Sequence, residues 1–207
     1  MSRLAPARHH RADSTGSTEG NEKLTAMTGA LLLVLLAAEG FTLLSIHRLL
    51  TLHFFLGMLL VGPVLLKMGS TGYRFFRYYT GAPVYVKKGP PVILLRLLGP
   101  VVLGTSVGVI GTGVALAFTG PGQSLWLFAH KAFFVIWFGA MAVHVLWYAP
   151  QLPRLLGSGS PHLDRARDAL VGAGKRWLAL TAALAVGLVL ALATYHLAGS
   201  WPGFGGR

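Results

Sequence analysis

Five stretches of almost unbroken apolar sequence limit what this chain can fold into. They cover residues 27–46, 49–66, 92–118, 125–148 and 177–197. A helix needs roughly 20 apolar residues to cross the hydrocarbon layer of a bilayer, where no water is present to bond the backbone. Five such segments leave little chain for a soluble domain. The expected fold is all-α, a multi-pass transmembrane helical bundle of five spans. Residues 1–26 read as a disordered cytoplasmic tail and 27–149 as a four-helix membrane core. Residues 150–176 read as a cytoplasmic linker, and 177–207 as a fifth span with a short outer tail. Composition agrees: only 12% of the 207 residues are charged, against about 25% in a soluble domain. The 27 glycines follow no repeat, which excludes a collagen-like chain. Cysteine is absent, which excludes disulfides, iron–sulfur clusters and c-type haem attachment. Any metal or cofactor must be held by histidine, methionine, carboxylate or backbone.

The net charge is +12. In a soluble protein this would suggest nucleic acid, but here the basic residues lie between apolar runs, and an anionic membrane surface is the better partner. Four fall in the tail (Arg3, Arg8, Arg11, Lys23) and six between spans two and three (Lys67, Arg74, Arg77, Lys87, Lys88, Arg96). Five more fall between spans four and five (Arg154, Arg165, Arg167, Lys175, Arg176). The other side has Arg48, Lys131 and Arg207 alone, a division of 15 against 3. Five spans put all three basic segments on one face. By the positive-inside rule the N-terminus is cytoplasmic and the C-terminus outside. A signal peptide cleaved near Ala37-Ala38-Glu39 is the competing reading of the first run. The long tail before it, with Asp13, Glu19 and Glu22, lacks the positive character of such a peptide.

Between spans two and three, Tyr73, Phe75, Phe76, Tyr78, Tyr79 and Tyr85 alternate with basic residues. Aromatics and cations interleaved in this way can stack on nucleic acid. Between two spans they read instead as an interfacial aromatic belt touching lipid phosphates. Gly89-Pro90-Pro91 stops any helix there, and a short surface helix is expected over residues 163–171.

Ionisable groups inside a membrane are costly and mark function by default. His53 lies near the outer start of span two, and His130 lies at similar depth at the start of span four. His144 follows near the inner end of span four. Fourteen helical residues separate His130 from His144, roughly 21 Å along the axis and about 40° around it. Two imidazoles so placed suit two haems stacked across a membrane, each needing a second ligand from another helix. They are equally compatible with two unrelated histidines at helix ends. His53 supplies the outer partner. Gly57, one turn below it, would let a flat ring approach, and Gly104, Gly108 and Gly111 offer either similar clearance or close helix packing. Phe134 and Trp137 share the His130 face, as cofactor lining or core. The residue fourteen after His53 is Lys67, so His144 has no imidazole mate in the chain. One outer haem b is expected, with a second at His144 left open. Met68, a ligand from another subunit or a mere hydrogen bond are the remaining roles for His144. Arg48 and Lys131 lie beside the two ligands, where haem propionates need cations. Glu39, in the outer half of span one, either pairs with Arg48 or carries a proton or bonds a quinone.

These residues carry a resemblance. The stretches Thr51-Leu52-His53-Phe54-Phe55-Leu56-Gly57, Gly62-Pro63-Val64-Leu65-Leu66-Lys67, residues 70–81, Gly89-Pro90-Pro91 and the His130/His144 pair resemble a family of actinobacterial membrane proteins. These are similar to the cytochrome b561 and di-haem cytochrome b helical bundles. The resemblance covers roughly residues 27–149 and implies a four-helix haem-binding core able to move electrons. The chain departs from the pattern at Lys67, where a second ligand would sit.

The leading expectation is therefore a membrane b-type cytochrome relaying electrons through a bis-histidine haem near the outer face. It would be at most an electron-transfer subunit of a membrane oxidoreductase, exchanging with a quinone or a redox partner subunit. A metal-handling or transport protein is the alternative, with His47, His53, His130 and His196 gathered near the outer face. A cofactor-free scaffold or assembly subunit is a third. No hydrolytic triad, phosphate loop or intramembrane carboxylate pair is present.

Overall fold

The computed structural model describes residues 9–87, 93–122, 124–151, 153 and 173–201, with side chains from residue 20 onward. Among these residues the chain is almost wholly helical and contains no strand. The helices are α1 (His9–Thr42), α2 (Ile46–Tyr79), a one-turn α3 (Pro83–Lys87), α4 (Ile93–Thr119), α5 (Ser124–Tyr148) and α6 (Ala173–Thr194). The surface helix expected over residues 163–171 lies outside the described residues.

Four helical stretches are long and apolar enough to cross a membrane: Gly20–Tyr79, Ile93–Thr119, Leu125–Tyr148 and Ala173–Gly199. The first is not one rod. A 3₁₀ turn over Leu43–Ser45 breaks it, with Ser45 at φ −149°, ψ 56° and Leu49 at φ −109°, ψ 15°. The chain folds back there, so α1 and α2 lie antiparallel. The pairing is visible in three layers: Asn21 Nδ2 donates to Ser70 O at 3.2 Å, Lys67 Nζ donates to Thr25 O at 2.7 Å, and Glu39 meets His53.

Both helices of this hairpin outrun their apolar cores. α1 begins at His9, ahead of the run that opens at residue 27, and its polar residues Asn21, Glu22 and Thr25 face the C-terminal part of α2. α2 spans 34 residues, about 51 Å at 1.5 Å per residue, well beyond one bilayer thickness. Its last turns carry exposed Tyr73, Phe75, Phe76 and Tyr79, and Arg96 donates to the Tyr79 hydroxyl at 3.3 Å.

Packing divides the bundle unevenly. α2 packs most extensively on α6, and α4 on α5, while α2 and α4 touch more sparsely. The α2–α6 crossing is made by backbone. A side chain at Gly62 would overlap the carbonyl of Ala183, and one at Gly187 would overlap the carbonyl of Leu59. Pro63, fully buried next to Gly62, has no N–H, so the Leu59 carbonyl loses its usual helical donor. The backbone of α6 at Gly187 covers that oxygen and shields it from lipid, where an open carbonyl would be costly. The last span thus braces α2 directly.

Around the first turns of α2, Leu50, Phe54 and Met58 pack with Leu116 and Ala117 of α4, and with Ala191, Ala198 and Trp201 from the end of the chain. The Phe54 and Trp201 rings meet edge to face at 5.1 Å. Elsewhere the helices turn leucine, valine and phenylalanine outward. Leu44, Ile93, Leu125 and Leu146 are each at least 70% exposed, as apolar residues in contact with a lipid bilayer would be.

Candidate functional site

Hydroxyl residues of apolar helices shape the candidate site. Thr42, at the end of α1, is fully buried and donates its proton to Glu39 O at 2.5 Å. Its oxygen also lies 2.9 Å from His53 Nδ1. With its own proton already given, Thr42 can only accept from the ring, so His53 carries its proton on Nδ1. Glu39 Oε1 is 2.9 Å from the same nitrogen and accepts as well. His53 is therefore held as the Nδ1–H tautomer, with a lone pair on Nε2.

A parallel arrangement fixes His130 on α5. Its Nδ1 lies 3.1 Å from the Val109 carbonyl, which can only accept. Thr112 Oγ1 lies 3.1 Å from the same nitrogen and gives its proton to Gly108 O at 2.6 Å. His130 too is the Nδ1–H tautomer. Gly113 leaves room for the ring: a Cβ there would stand 3.2 Å from His130 Cε1. The two imidazoles face each other across α2 and α5, with ring centroids 6.4 Å apart and planes at 84°. Neither Nε2 has a hydrogen-bond partner among the described residues.

Other sequence-derived candidates fall as follows. Gly57 faces Glu39, whose Oε1 would be 3.5 Å from a Cβ at that position, so the carboxylate fills this opening. Glu39 pairs with His53, not with Arg48, which was one of its two expected roles; Arg48 and Lys131 are exposed. Gly108 receives the Phe133 ring, whereas Gly104 has no neighbour within 4 Å. Gly111 lines an apolar cleft of about 170 Å³ between α2 and α4, with Val61, Val64, Leu65, Met68, Val107 and Ile110. Trp137 donates its indole N–H to Ser106 Oγ at 3.0 Å, and Phe134 lies 6.2 Å from Trp137. His144 stacks on Tyr148 at 4.8 Å, and Lys67 is engaged with the α1 backbone. His47 and His196 are exposed, and among the described residues no three metal-ligating side chains converge.

Comparison with known proteins adds no assignment. No protein-family model, curated protein or solved structure matches the chain.

Thr42, Thr112, Ser106 and Gly113 are site residues that sequence reading missed. The signal available was the presence of hydroxyls within apolar runs. A helical Ser or Thr normally bonds its own preceding carbonyl and so looks self-sufficient. Its spare lone pair matters only once a histidine from another helix is placed beside it.

Proposed function

We propose that this chain is an integral membrane b-type cytochrome that holds one haem between His53 and His130 near the outer face and relays single electrons. One observation carries the reading: two imidazoles from different helices, each committed through Nδ1–H to an acceptor, lie with ring centroids 6.4 Å apart and leave Nε2 without a hydrogen-bond partner. Two imidazole nitrogens each about 2 Å from one metal place their centroids about 6 Å apart. Acceptors on Nδ1 are the usual support for ligating histidines, since they fix tautomer and ring orientation. A haem held by His53 and His130 would supply one-electron exchange. Arg48 and Lys131 offer the rim cations that propionates need. A quinone or a partner subunit is the proposed exchange partner.

Pyridine haemochrome analysis of the purified chain is expected to give one haem b per polypeptide. A haem-free protein of full helical content overturns the cytochrome reading. A ratio of two assigns His144 to a second site.

In this reading the folded-back hairpin crosses twice, for five crossings in all, with the N-terminus in the cytoplasm of a bacterial cell. A reporter active only outside the cytoplasm is expected to be active when fused after Arg207 and silent near Gly157. The opposite pattern rejects the orientation derived from the 15-to-3 division of basic residues.

A further inference from the structure

Glu39 is the one acidic residue between Glu22 and Asp164. It plays no part in the ligand pair, yet it turns inward to touch one member of it. Its Oε1 accepts from His53 Nδ1–H at 2.9 Å, and its Oε2 is buried without a hydrogen-bond partner. No second donor shares the carboxyl group, so it acts on His53 alone. The partners of His130 are a neutral carbonyl and a neutral hydroxyl. The two imidazoles are thus electronically unequal.

We infer that Glu39 is a positioning residue that lowers the reduction potential of the haem held by His53 and His130; this rests on the haem reading above. A carboxylate accepting from Nδ1–H moves electron density onto the ring and strengthens Nε2 as a donor. Ferric iron carries one more positive charge than ferrous iron. A negative charge held close by in a weakly polarisable surrounding therefore favours the ferric state. Thr42 acts in the opposite sense: it shares the same ring proton and diverts part of it from the carboxylate.

The experiment is a spectroelectrochemical titration of the full chain, loaded with haem b in detergent, for the parent protein, Glu39→Gln and Thr42→Val. Gln keeps the shape of Glu39 and removes its charge; Val keeps the shape of Thr42 and removes its oxygen. Glu39→Gln is expected to keep the low-spin Soret band and shift the ferric-to-ferrous preference about tenfold. For one electron this is a rise of about 59 mV in midpoint. Thr42→Val is expected to shift the midpoint downward. Residues that only held the fold would lower haem retention without moving the two potentials in opposite directions. If Glu39→Gln does not assemble, the sign of the Thr42→Val shift decides. Unmoved potentials, or an upward shift in Thr42→Val, overturn the inference and leave the haem reading intact. A parent protein that takes up no haem overturns the haem reading before any variant is compared.

Discussion

His53→Ala and His130→Ala are each expected to abolish the low-spin spectrum of the proposed haem, and His144→Ala to leave it nearly unchanged. The two sensitive positions are 6.4 Å apart by ring centroid, on helices that touch little elsewhere. Removing either ring empties one axial position and leaves the opposite imidazole with a single-sided site. His144 lies roughly 21 Å further along α5, too far to act on the outer iron. Absorption spectra of the purified variants check this directly. If the histidines only bonded their neighbouring hydroxyls, alanine would be tolerated, with a cost of about 1 kcal/mol for the lost bonds. His47→Ala and His196→Ala are expected to do little, because both residues are exposed. Loss of the low-spin signal in His47→Ala or His196→Ala with His53→Ala intact would reject the ligand pair.

The second large effect lies on the other side of α2. Gly187→Leu is expected to separate α6 from α2, because even the first carbon of a side chain there would overlap the Leu59 carbonyl. Gly187→Ala is expected to cost about 1–3 kcal/mol, as other insertions into a packed core do. Gly62→Ala is expected to behave alike, since it faces the Ala183 carbonyl. Gly104→Ala is the control: no atom lies within 4 Å of the added carbon, and helix propensity favours alanine. Thermal unfolding of the four variants in one detergent ranks them. Equal melting temperatures for Gly187→Ala and Gly104→Ala would remove the backbone crossing as the brace of α2.

How far the sequence foretold these features depends on the kind of interaction. Crossing segments are legible because each must satisfy its own backbone, and run length alone reports that: α4 and α5 begin and end within a residue or so of their apolar runs. Where polar pairs extend a helix, run length fails. α2 continues to Tyr79 because Ser70 and Arg74 find Asn21 and Glu22 on α1, a match between residues some fifty positions apart. The histidine pair was legible as two imidazoles at equal depth. The Glu39–His53 bond was not, because it depends on the register of a hairpin whose turn is a three-residue 3₁₀ segment. Gly62 and Gly187 were hidden among 27 glycines. Only the helix lying opposite distinguishes a close crossing from an idle glycine such as Gly104.

The brace on α2 also has an order in time. Membrane helices emerge from the ribosome in sequence, and α6 is the last of these to be made. Until it arrives, the Leu59 carbonyl freed by Pro63 faces hydrocarbon without a donor, and α2 remains half-finished on that side. His53 precedes Gly62 by nine residues, about half a revolution around the helix. The face that carries His53 can therefore meet α5 while the opposite face is still open.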